Sequence, residues 1–175
     1  MCGIIAVLRR ACRRPAPSAQ LLSDLVREAE LALAMPLLVQ SLGAAADALS
    51  HLDRELKGPS GLWALLRDAA ATADLAARLR AMQTATLAFE QSLDETAVTD
   101  TVDPAVELRN AALLRLKDAL WSVLRDRLPH AKAVQALANG NLQDLATAAS
   151  FSGLQTALSA LDRLEVRGRD SAGVS

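Results

Sequence analysis

From Leu38 to Leu56 the chain reads LVQSLGAAADALSHLDREL. Leu38, Leu42, Ala45, Leu49, Leu52 and Leu56 recur at steps of three or four residues, the spacing that puts apolar side chains on one face of an α-helix. The same texture extends in both directions, from about Ser18 to Ser152. A mainly α protein is therefore expected.

Working outward, Ser18 is placed to cap a helix whose face carries Leu21, Leu22, Leu25, Ala29 and Ala32. Pro36 either kinks that helix or restarts it. Gly58-Pro59-Ser60-Gly61 is the strongest break in the chain. A helix from about Ser60 carries Leu62, Leu65, Leu66 and Ala69. The stripe Leu75, Leu79, Met82, Thr86, Phe89 and Leu93 continues the pattern to about Asp94. Thr96 to Asp103 is polar and reads as a loop. Asp103-Pro104 places a cap residue before a proline at the first helical position, with Leu113, Leu116, Leu120, Leu124 and Leu128 as the core face. Pro129 is expected to end that helix. A short helix from His130 to Ala138, the turn Asn139-Gly140-Asn141, and a helical turn or two from Leu142 to Ala149 follow. No fixed-period repeat and no sustained heptad is present. About six or seven helices in an antiparallel bundle are expected rather than a long coiled coil.

Composition agrees. The chain has 36 Ala and 33 Leu in 175 residues but only Trp63, Phe89, Trp121 and Phe151 as aromatics. Ala and Leu favour helices, whereas aromatic and β-branched residues favour strands, so an all-β fold is excluded. A 51% hydrophobic content can bury a core, which excludes disorder. A net charge of −1 gives no electrostatic case for nucleic acid or an anionic membrane. No apolar run reaches the length of a membrane span. Two cysteines, Cys2 and Cys12, make no disulfide framework, and a reducing cytoplasm is the expected location. The apolar Met1–Leu8 run precedes Arg9 and Arg10, the reverse of a secretory signal.

The helical middle carries little chemistry. His51 and His130 stand far apart, without Cys or acidic ligand spacing, so no metal site and no cofactor is expected. No Gly-rich phosphate loop follows a strand. Arg54-Glu55 and Arg125-Asp126-Arg127 read as solvated helix faces.

The ends differ. Cys2-Gly3-Ile4-Ile5-Ala6-Val7-Leu8 reads as a buried strand. Removal of Met1 would leave Cys2 as the first residue, with a thiol and an α-amino group on one residue. An α-amino group with a pKa of about 8 can take the thiol proton near neutral pH. Gly3 would allow a substrate to approach the backbone closely. At the other end, the amphipathic stretch Leu154, Leu158, Leu161 and Leu164 runs into Arg167-Gly168-Arg169-Asp170-Ser171-Ala172-Gly173-Val174.

These two ends together resemble the class II glutamine amidotransferases, whose fold is the αββα N-terminal-nucleophile glutaminase. They look most like the glutamine–fructose-6-phosphate aminotransferases, also called glucosamine-6-phosphate synthases. That family begins with a Cys-Gly-Ile strand and has a helix ending in Leu-Glu-x-Arg-Gly-x-Asp-Ser-Ala-Gly. Glu165 and Val166 before Arg167 favour it over the phosphoribosyl-pyrophosphate amidotransferases, which remain an alternative. The resemblance covers only the two ends. It implies that residues 1–17 are the first strand and loop of the glutaminase domain. Residues 18–152 would be a large helical insertion, and residues 153–175 the first helix and the start of the second strand. It further implies that Cys2 is the nucleophile that attacks the glutamine amide and forms a thioester, releasing ammonia for a sugar phosphate acceptor, so that fructose 6-phosphate becomes glucosamine 6-phosphate. Arg167, Gly168 and Asp170 match positions beside the nucleophile and are the implied substrate-binding residues. Oxyanion donors, glutamine-gripping groups and sugar isomerase domains have no match. The resemblance thus implies an N-terminal fragment, inactive by itself, of an enzyme that could be a homodimer through the missing domains. The competing expectation is a non-catalytic helical-bundle interaction module.

Overall fold

The structure is a computed structural model that describes Val7, residues 12–96 and residues 104–165. Those residues are helical almost throughout. The expected strands at Cys2–Leu8 and Ala172–Ser175 lie outside them, apart from Val7.

Helix α1 spans Ala19–Leu33 and α2 spans Val39–Leu56. Ser18 begins α1 as expected, its Oγ accepting from the Leu21 N–H at 3.1 Å. Leu22, Leu25, Val26 and Ala29 form the buried face, while Leu21 turns outward. The chain restarts after Pro36. Ser41 Oγ accepts from the Leu38 N–H at 3.0 Å and donates to the Pro36 carbonyl at 2.7 Å, fixing the entry to α2. Leu42, Ala45, Leu49, Leu52 and Leu56 are buried, but Leu38, ahead of the first helical residue, is 64% exposed. α2 is the central element, packed against α1 on one side.

The break at Gly58 is tighter than expected. Lys57 alone separates α2 from α3, Gly58–Arg67. Gly58 takes φ +74°, a conformation glycine adopts without penalty. A Cβ on Gly61 would lie 2.2 Å from the Leu56 carbonyl carbon, so only glycine lets α3 start this close to α2. Asp68 then interrupts what the apolar stripe suggests is one helix. Its Oδ1 accepts from the Ala71 N–H at 2.9 Å and opens α4, Ala69–Thr96. Thr72 Oγ1 donates to the Leu65 carbonyl at 2.8 Å, satisfying an acceptor at the end of α3. Leu75, Leu79, Met82 and Thr86 are buried along α4 as the stripe predicts.

Helix α5 runs Pro104–Trp121 and does not stop at Pro129. It passes through a wider π-helical turn, Ser122–Arg127, directly into α6, Leu128–Ala138. The Leu128 N–H bonds the Val123 carbonyl, five residues back. In a regular helix the Pro129 ring would collide with the Arg125 carbonyl and leave it without a donor. The wide turn just ahead of the proline relieves both problems. Ion pairs Asp47–Arg115 and Asp53–Arg127 rise together in number, so α2 and α5 run in the same sense, a departure at this pair from antiparallel packing.

Asn139 (φ 45°) and Gly140 (φ 85°) form the expected turn. Asp144 Oδ1 then caps α7 by accepting from the Thr147 N–H at 2.7 Å. That hydrogen bond also holds the Asp144 carboxyl below its usual range. α7 spans Leu145–Glu165 without interruption, so the boundary expected at 152/153 falls inside one helix. α7 packs against α3 and α6.

Candidate functional site

The residues that the sequence marks for chemistry, Cys2, Arg167, Gly168 and Asp170, lie outside the described residues. What the structure shows is the frame between them.

The entering segment is anchored by two arginines. Arg14 Nε donates to Ser60 Oγ at 2.8 Å, and its Nη atoms donate to the carbonyls of Arg54 (3.0 Å), Glu55 (2.8 Å) and Lys57 (2.6 Å). One guanidinium thus serves at the C-terminal end of α2, meeting the Glu55 carbonyl, the Arg54 carbonyl that the Lys57 N–H also reaches, and the carbonyl of the linking Lys57. Arg67 Nη2 donates to the Pro17 carbonyl at 2.9 Å. The segment is therefore seated on α3, and α7 packs on the same short helix.

Several charged residues of the helices pair from one helix to another. Arg78 holds the Glu30 carboxylate with two hydrogen bonds, 2.8 and 2.7 Å, and also donates to Ser23 Oγ at 3.0 Å, tying α4 to α1. That hydrogen bonding, opposed by partial burial, holds the Glu30 carboxyl below its usual value and the Arg78 guanidinium above its own. Lys117 Nζ contacts both Glu90 oxygens at 2.6 and 2.7 Å. Asp53, nearly buried, accepts from Arg127 Nε at 2.9 Å and pairs with Lys57 Nζ at 3.0 Å. Arg127 is therefore not part of a solvated face. The wide turn directs it at α2, and no local pattern could have marked a partner so distant in sequence.

Both histidines are engaged. His51 Nε2 lies 3.8 Å from Glu55 Oε1 on α2. His130 Nε2 lies 2.9 Å from Ser152 Oγ, across the α6–α7 contact. Burial pushes the His130 pKa below its usual value; nearby Asp126 opposes this and Arg127 adds to it. No group of three His, Cys, Asp or Glu among the described residues could hold a metal ion.

One surface feature stands apart. A cleft of about 190 Å³ between α4 and α5 is lined by Thr86, Leu87, Leu114, Lys117, Leu120 and Trp121, among others. Leu114 and Trp121 are each 59% exposed there. Isolated exposed apolar residues are common, whereas a group of them lining one cleft suits a binding surface. None of the described helices is long and apolar enough to cross a membrane. No family model, curated protein or solved structure matches the chain.

Proposed function

We propose that this chain belongs to the N-terminal part of a cytoplasmic glutamine-dependent amidotransferase, with the helical bundle inserted in its glutaminase domain. One observation carries the reading: Cys2-Gly3-Ile4-Ile5 at one end is matched by Arg167-Gly168-Arg169-Asp170-Ser171-Ala172-Gly173 at the other, in the order of the family.

In this reading the α-amino group of Cys2 takes the thiol proton. The thiolate attacks the side-chain amide carbon of glutamine, the C–N bond breaks, and nitrogen leaves as ammonia with that proton. Water then cleaves the thioester to glutamate and the free thiol. Arg167 beside the thiolate favours its charged form. Gly168 and Asp170 are the other substrate-binding residues in this reading. The acceptor of the ammonia is a sugar phosphate.

Two measurements on the full-length protein test this. The mature N-terminus should be Cys2, and a glutamine analogue bearing an electrophilic carbon should label Cys2 alone. Retained Met1, or labelling elsewhere, would overturn the reading.

A second reading is favoured by the cleft beside Trp121: a bundle that binds another protein and performs no catalysis. It predicts that Cys2→Ser leaves the function of the full-length protein unchanged.

A further inference from the structure

Helix α7 is held to the bundle through α6 and α3. The polar contact across α6–α7 is His130 Nε2 to Ser152 Oγ at 2.9 Å, close to buried Ala148 and Gly153. The imidazole is half-buried. Among the described residues, the carboxylate that bears on it is that of Asp126, which favours a charged imidazole. Asp126, one turn back on the same continuous helix, is already bound to Arg127 Nη1 at 2.6 Å. Burial is the largest effect on the imidazole and disfavours its charge; Asp126 opposes burial and Arg127 adds to it. From α3 the charged residue is Arg67, a cation whose guanidinium is on Pro17. From α7, over residues 145–162, it is the exposed Asp162, ten residues beyond Ser152 and about 15 Å along the axis.

We propose that this contact is a proton-operated latch, in which neutral His130 keeps α7 docked on α6 and α3 and an imidazolium releases it. The hydrogen bond itself is not the switch. A serine hydroxyl can donate to a neutral imidazole nitrogen or accept from a protonated one. The switch is the cost of a half-buried charge that Asp126, shared with Arg127, compensates only in part, which undocking α7 relieves by admitting water. The direction follows from linkage. Docked α7 disfavours the proton, so the docked state binds fewer protons than the open one. Docking is at full strength above the ordinary histidine pKa of about 6.5 and weakens as pH falls through and below it. The latch goes beyond the amidotransferase reading and does not rest on it.

Amide hydrogen exchange on the whole chain, at about pH 7.5 and about pH 5 and corrected for intrinsic exchange, tests the latch. Amides of α7 should lose protection several-fold more than those of α2 at the lower pH. His130→Gln keeps a hydrogen-bonding group but cannot titrate, so its α7 protection should not change with pH. Ser152→Asp supplies a carboxylate at the imidazole itself and should keep α7 docked at the lower pH; this variant decides the matter if His130→Gln fails to fold. Equal loss in α2 and α7, the same loss in His130→Gln, or α7 release in Ser152→Asp would each overturn the proposal.

Discussion

Arg127 Nε donates to Asp53 Oδ1 at 2.9 Å across 74 residues of sequence, and this one bond joins the central helix α2 to the wide turn that follows α5. The side chain of Asp53 is 11% exposed and that of Arg127 is 23% exposed, so water screens the pair only partly. Removing one partner leaves the other in a place built for a pair.

Asp53→Ala should therefore destabilise the fold by about 2 kcal/mol, in the range of hydrogen bonds to charged groups. Arg127→Ala should cost less, because Lys57 Nζ stays 3.0 Å from Asp53 Oδ2. Urea unfolding of both variants checks the order. Equal losses would mean that Lys57 contributes nothing.

Gly61 and Gly43 make an opposed pair. Gly61→Ala places a methyl 2.2 Å from the Leu56 carbonyl carbon, which forces α3 away from α2. A loss of about 2–3 kcal/mol is expected. Gly43 lies inside α2, and a methyl added there would meet nothing within 4 Å. Gly43→Ala should therefore stabilise by about 0.5–1 kcal/mol. Thermal melts should move in opposite directions.

Arg14 caps three carbonyls and a hydroxyl at once. Arg14→Ala should selectively expose the last turn of α2, Arg54 to Lys57, to hydrogen exchange. Arg14→Lys should not restore protection, because one ammonium cannot span the fork of a guanidinium. Full rescue by lysine would show that charge alone matters.

Glu30 has a carboxyl held low by its hydrogen bonds to Arg78. A depressed carboxylate pKa contributes stability above the unfolded value, and that contribution is lost as pH falls through the folded one. Glu30 is 37% exposed, which screens the pair and keeps the effect small. Denaturant midpoints at neutral pH and below about pH 4 should converge between wild type and Glu30→Gln as pH falls. A gap that persists in acid would contradict this.

Much of the fold was legible because helix signals are local. Ser18 and the Asn139-Gly140 turn act on their immediate neighbours, and the leucine faces of α2 and α4 follow from spacing alone. The misses have physical reasons. Asp68 stops α3 through a side-chain bond to Ala71 inside an unbroken apolar stripe, so periodicity hides the break. Pro129 usually ends a helix, but the wide turn before it absorbs the ring. The start of α7 at Leu145 is set by Asp144, while the Ala-rich stretch through Ser152 offers nothing to stop it. Asp53–Arg127 and Glu30–Arg78 depend on tertiary placement, which spacing does not encode. The candidate nucleophile Cys2 and the candidate substrate-binding residues Arg167, Gly168 and Asp170 were legible only through resemblance, and they lie outside the described residues.

The turn Ser122–Arg127 has a consequence for length variation. A π-helical turn holds one residue more than its regular counterpart, so it is a place where the chain stores an insertion without making a loop. In a regular helix each added residue would advance everything after it by about 100° around the axis. The wide turn takes up the extra residue locally, so the segment beyond it, Leu128 to Ala138, keeps its face, with Val134 buried in the core. The turn thus holds two halves of one long rod in phase with different neighbours, and losing one residue from it would leave that phase unchanged.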